Sequence, residues 1–160
     1  MHVCTYICFV KLEDALKSST FESQKQKAGL NILYTAWWLK TIVSKELKAF
    51  SLTHEQFNVM RILKGKHPEQ MCVRDIGSRM IEQSSNVPRI IDRLVIKKWV
   101  KRSTSALDKR ETVIVLTAAG INILAEASQQ VTDVMNNSIK LNEADAMVVN
   151  QLLENLRIKQ

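Results

Sequence analysis

The chain has 160 residues and a formal net charge of +7. That length sets one domain as the expectation and allows a real core, while no apolar run reaches the ~18 residues that a membrane-spanning helix needs. Only four glycines and two prolines interrupt it, which favours helix, and three cysteines without metal-ligand spacing read as the reduced thiols of a cytoplasmic protein.

Met1 to Val10 is apolar but has no basic residue ahead of the apolar stretch and no small-residue cleavage site, so a signal peptide is not expected. Residues 1–21 are taken as an N-terminal extension and residues 22–160 as a single domain. Lys11 to Lys27 is polar and of mixed charge, a linker or a frayed helix. Ala28 to Phe50 is strongly helical. Its apolar residues, among them Leu33, Tyr34, Trp37, Trp38, Ile42 and Leu47, cover far more than the single stripe of a surface helix. Such a helix needs partners on two sides, either a second subunit or the centre of a monomer.

Thr53-His54-Glu55-Gln56 is a capping box, threonine followed three residues later by glutamine. It predicts a helix through Leu63 with Phe57 and Met60 inward, ended by Gly65 to Pro68. Met71 to Val73 suits a small strand, and Val73 to Ile81 a short helix. Glu82 to Asn86 is then a turn, with Ser85 the expected N-cap of the next helix and Pro88 its third residue. There the missing N–H costs no intrahelical bond. In this second helix Val87, Ile90, Ile91 and Leu94 follow i, i+3, i+4, i+7 and form one apolar stripe. Ser85, Pro88, Arg89, Asp92 and Arg93 fall on the opposite face, with Asn86 at its edge.

Lys98 to Arg102 and Thr112 to Leu116 are short apolar or β-branched runs that pair as a hairpin with Lys109 and Arg110 at its tip. Thr117 is placed to cap a long helix to about Asn137. A last helix starts near Asn142, with Glu143 and Asp145 in its first turn and Val148, Val149, Leu152, Leu153 and Leu156 as its apolar stripe. The expected fold is therefore mostly α (α+β): a winged helix-turn-helix over about 52–120 with a β-hairpin wing. The helices of about 22–50 and 121–160 form a dimerisation layer around it. From Ser84 to Arg110 there are eight basic residues and two acidic ones. Nearly all the excess charge thus sits on the unit whose natural ligand is double-stranded DNA.

In sequence order, Arg89-Ile90-Ile91-Asp92-Arg93-Leu94, Val100-Lys101-Arg102, Asp108-x-Arg110 and Leu116-Thr117-x-x-Gly120 resemble the MarR family of transcriptional regulators. The similarity covers roughly Leu30 to Leu156. It implies an obligate homodimer on a pseudo-palindromic operator, the recognition helix in the major groove and the wing in the minor groove. It also implies release by a small, frequently aromatic molecule bound between the dimer layer and the winged helix. Carried onto this chain, it implies DNA contact by Arg74, Ser84, Ser85, Asn86, Pro88, Arg89, Arg93, Lys109 and Arg110, with Asp108 holding the wing tip through a salt bridge. Ser85 and Asn86 are capping residues first. Trp37, Trp38 and Met60 are candidates for an effector pocket, although paired tryptophans are more often core or interface anchors. The chain departs from the family at Lys98, where glycine is usual, and the stretch before about Lys11 has no counterpart.

No catalytic constellation, phosphate-binding glycine loop, zinc signature or cofactor motif is present, so an enzyme is not expected. The expected function is a cytoplasmic, homodimeric, sequence-specific regulator, a repressor released by an effector. An architectural or non-specific nucleic-acid-binding protein is the alternative, and a protein-interaction module with an incidental basic face a third reading.

Overall fold

In a computed structural model the described residues are 10–82, 86–105, 109 and 112–157. They form two compact units, residues 1–42 and 43–160.

The first unit holds α1 (Leu12–Leu16) and most of α2 (Gln24–Leu47). Where the sequence suggested a linker or frayed helix over Lys11 to Lys27, a short helix forms with Leu12 buried. The Lys27 ammonium pairs with the Glu13 carboxylate at 2.5 Å and lies over the Phe21 ring. That hydrogen bond holds the Glu13 carboxyl below its ordinary value. α2 starts four residues earlier than Ala28 because Ser23 is available as an N-terminal acceptor: its Oγ takes the Gln26 N–H at 3.1 Å.

The second unit carries the fold that the capping residues mark out. A 3-10 turn (Lys48–Phe50) leads to α3 (His54–Lys66). Thr53 Oγ1 accepts from Gln56 N and the Gln56 side chain returns to Thr53 N, the expected capping box. α3 continues through Gly65, past its expected end. β1 (Met71–Cys72), α4 (Val73–Ser78), α5 (Val87–Ile96), β2 (Val100–Thr104), β3 (Thr112–Leu116), α6 (Ala118–Ser138) and α7 (Glu143–Asn155) follow. Thr117 caps α6 through Gly120 N, and Asn142 caps α7 through Asp145 N.

The sheet is antiparallel in the order β1-β3-β2. Val100 faces Leu116 and Thr104 faces Thr112, while Met71 faces Ile114. The predicted hairpin and small strand are therefore both present. Leu47, Val59, Met60, Ile76, Ile91, Leu94, Val100 and Ile114 fill the core. Among the described residues no helix is long and apolar enough to cross a membrane.

α5 ends in a left-handed turn. Lys98 has φ 58°, its N–H donates to Val95 O at 2.9 Å, and Trp99 N–H donates to Leu94 O at 3.1 Å. This is the Schellman pattern, normally closed by glycine. The departure noted at Lys98 thus changes the residue and keeps the turn, at a strain of ~1 kcal/mol or more. Lys98→Gly is expected to raise stability by ~0.5–1 kcal/mol, because glycine's extra chain entropy offsets part of the relief. A melting curve that falls would show that the lysine stem supports the turn.

Candidate nucleic-acid interface

α4, the following turn and α5 make the helix-turn-helix. α4 stops at Ser78, short of the expected Ile81. Its N-cap is Cys72, whose Sγ accepts from Asp75 N at 3.4 Å, so this buried thiol serves the helix start. The N-cap of α5 is Asn86, not Ser85, and Asn86 makes no side-chain capping bond. Pro88 is consequently the second helical residue, still among the positions with no intrahelical acceptor. Ser84, Ser85, Asp108 and Arg110 lie outside the described residues, as do Cys4 and Cys8.

The α5 stripe Val87, Ile90, Ile91 and Leu94 is buried as expected. Pro88, Arg89, Asp92 and Arg93 are exposed on the other side, and so is Asn86. No acidic group among the described residues pairs with Arg89 or Arg93. Arg74 is strongly exposed on α4, with Nε 3.8 Å from Asp75. Lys109 is exposed.

Two charges behave differently from the even basic field suggested by the sequence. Arg102 on β2 reaches back to α5, its Nη2 2.6 Å from Asp92 Oδ1. The pair ties β2 to α5 and cancels the one acidic charge on the exposed face of that helix. Exposed pairs of this kind add little stability, so its value lies in charge balance. Sequence reasoning counted both residues and missed their partnership. An arginine on the first wing strand, two positions past the buried Val100, was the available signal.

Lys97 was counted among the excess positive charges of the DNA-binding unit. Its ammonium instead turns to protein: it donates to Ser51 O and to Gln56 Oε1 at 3.1 Å, and stands 4.7 Å from the Trp99 ring centroid. Burial first, and the Arg93 charge second, lower its pKa from the ordinary lysine value.

Thr53, Glu55, Gln56, Met80, Glu82, Asn86, Ile90 and Arg93 line a cavity of about 270 Å³ between α3 and α5. Met60 is fully buried in the core and does not line that cavity. In the first unit Trp37 is 60% exposed, with its ring 5.6 Å from Tyr34, and Trp38 is half-buried.

A helix-turn-helix followed by a two-stranded wing and a threonine-capped helix is thus in place, with two arginines on its exposed face that pair with no acidic group among the described residues. Residues 52–120 match the family model described as a winged helix DNA-binding domain. The solved MarR transcription factor from Planctomyces limnophilus is 27% identical, over 86% of this chain and 96% of that one, with a TM-score of 0.63. The chain has a MarR-like winged-helix fold. A mutant MarR from E. coli complexed with operator DNA shares the fold, with a TM-score of 0.76 over 88% of this chain and all of that one, at 22% identity. The HTH-type transcriptional regulator YpoP of Bacillus subtilis is 27% identical over 95 residues. That match spans 59% of this chain and 62% of the relative's length. In this fold α5 is the second helix of the helix-turn-helix and β2–β3 the hairpin that follows it.

Proposed function

We propose that the chain is a cytoplasmic, homodimeric, sequence-specific DNA-binding regulator that represses transcription from a pseudo-palindromic operator and is released by a small aromatic effector. The observation that carries the DNA reading is the division of α5: a wholly buried apolar stripe on one side, and on the other exposed Arg89 and Arg93, with no acidic partner among the described residues. The Asp92–Arg102 pair removes the one acidic charge that would repel phosphate from that face. A recognition helix of this kind enters the major groove, and a dimer places two of them about one DNA turn apart. Arg74 and Lys109, both exposed, add counterion-releasing charge. Asn86 and Pro88 sit at the start of α5, where base edges and phosphates are nearest, and Ser84 and Ser85 complete that contact set. Arg110 is assigned to the minor groove, with Asp108 holding the wing. Trp37 and Trp38 are the aromatic candidates for the effector.

The subunit contact is assigned to the helices flanking the winged helix, those of about 22–50 and 121–160. Met147, Val148 and Leu152 of α7 and its C-cap Leu156 are more than half exposed in the single chain, as are Leu33 and Trp37 of α2. Apolar exposure of this extent on one helix marks a surface that another protein covers.

Two measurements test this function. In competition binding, the wild-type chain should prefer the duplex it selects from a random pool by ~10³-fold or more over bulk DNA; equal affinity would turn the reading to an architectural protein. In sedimentation, the wild type should be a dimer, and Val148→Glu with Leu152→Glu should give a folded monomer. Both side chains are already exposed, so the monomer loses little stability, within ~0.5 kcal/mol per site. A wild-type chain that stays monomeric at micromolar concentration would sink the dimer.

A further inference from the structure

Resting on the DNA-binding reading, we propose that Lys97 is a positioning residue. Its ammonium locks the C-terminal end of the recognition helix to the N-terminal end of α3, setting how Arg89 and Arg93 are presented, and does not itself meet phosphate. Lys97 is the C-cap residue of α5, immediately before the strained Lys98. Its Nζ is taken up by three groups from two directions: the Ser51 carbonyl and the Gln56 side chain ahead of and within α3, and the Trp99 ring just after α5.

Each acceptor is itself fixed. Ser51, like Lys98, is left-handed, at φ 54°. Its turn is closed by Ser51 N–H to Lys48 O and Leu52 N–H to Leu47 O. Gln56 is buried, and its Oε1 also accepts the Thr53 N–H at 3.3 Å, as half of the α3 capping box. Trp99 is held by Leu94 O and by Thr117. One ammonium therefore joins the turn that closes the 3-10 helix after α2, the capping box that starts α3 and the turn that ends α5. A three-donor point charge suits such a nest, and a planar guanidinium does not. A cation over an aromatic face adds to its hold.

The competing role is an ordinary phosphate contact, and salt dependence separates the two. Binding of the full-length chain to the duplex it selects from a random pool would be titrated against salt for wild type, Lys97→Met and Lys97→Arg, with melting curves alongside. Positioning predicts that Lys97→Met loses roughly 5- to 20-fold in affinity, the scale of one compromised base contact. Its discrimination against a shuffled duplex should fall, and its slope of log K against log salt should stay unchanged. Lys97→Arg, which keeps the charge, should show the same loss. Phosphate contact predicts instead a slope smaller by about one for Lys97→Met and full binding by Lys97→Arg. That pattern, or wild-type affinity and discrimination in both variants, would overturn the proposal. Should Lys97→Met melt below the assay temperature, Lys97→Arg decides by the same criterion. A wild-type chain that selects no duplex would overturn the regulator reading and this inference with it. A wild type that selects normally while the variants match it overturns the inference alone.

Discussion

Gly120→Ala is expected to lower the melting temperature by roughly 6–12 °C, the largest effect among the four Gly→Ala changes open to this chain. A Cβ at Gly120 would lie 2.0 Å from the Trp99 carbonyl oxygen and 2.9 Å from its carbon. Both are backbone atoms, and neither is free to yield. Trp99 N–H is committed to Leu94 O. Its carbonyl accepts the Thr117 N–H at 3.0 Å and the Thr117 hydroxyl at 3.2 Å. The same hydroxyl reaches Lys98 O and accepts the Gly120 N–H. The methyl group must therefore lift the first turn of α6 away from the end of α5, and Thr117 loses its cap and its bridge together. Overpacking of this kind costs ~1–3 kcal/mol and a lost N-cap ~1 kcal/mol, together about 3 kcal/mol, and each kcal/mol moves the midpoint of a domain this size by ~2–4 °C. Gly65→Ala is the control. Nothing lies within 4 Å of a Cβ there, the residue is inside α3, and the change should stabilise slightly. Equal melting curves for the two variants would mean that the α5–α6 junction is looser than its hydrogen bonds imply.

The junction also shows what was legible in the sequence. Thr117-x-x-Gly120 was readable as a helix start because capping is local: the accepting side-chain oxygen and the N–H that donates to it lie three residues apart. The same holds for Thr53 with Gln56 and Asn142 with Asp145. The reason for glycine at 120 was not local. It is a carbonyl twenty-one positions earlier, brought there by the wing hairpin. The α5 stripe was readable because burial at i, i+3, i+4 and i+7 leaves a periodic mark. Its N-cap was placed one residue early, since Ser85 and Asn86 are both good capping types and sequence offers no geometry to choose between them. Lys97 and Arg102 were counted as surface charge because net charge carries no direction. Only the packing of α3 against α5, and of β2 beside α5, shows that one ammonium points inward and one guanidinium is spent on Asp92. Met60 was a pocket candidate for a related reason: an apolar residue in a helix reads alike whether it lines a cavity or fills a core.

Arg89→Ala is expected to damage affinity and sequence discrimination together, by about 1–3 kcal/mol, or roughly 5- to 150-fold. Arg89 is the third residue of α5, one turn inside the recognition helix, where side chains reach base edges. Its neighbours on the buried side, Ile90 and Ile91, hold the helix against the core, so the backbone beneath Arg89 is fixed while its side chain is exposed. No carboxylate among the described residues occupies the guanidinium, which leaves its planar fork for a bidentate contact, guanine being the favoured partner. Truncation creates no cavity, and stability should stay within ~0.5 kcal/mol of wild type. The two parts of the loss can be separated on one set of titrations. If Arg89 reads a base, the variant should lose its preference at one position in each half of the selected duplex and keep it elsewhere. If Arg89 meets only phosphate, affinity should fall equally on selected and shuffled duplexes, and the salt slope should drop by about one. Unchanged affinity and preference, with an unchanged melting curve, would show that the exposed face of α5 is not the reading surface. The DNA contact would then pass to the wing.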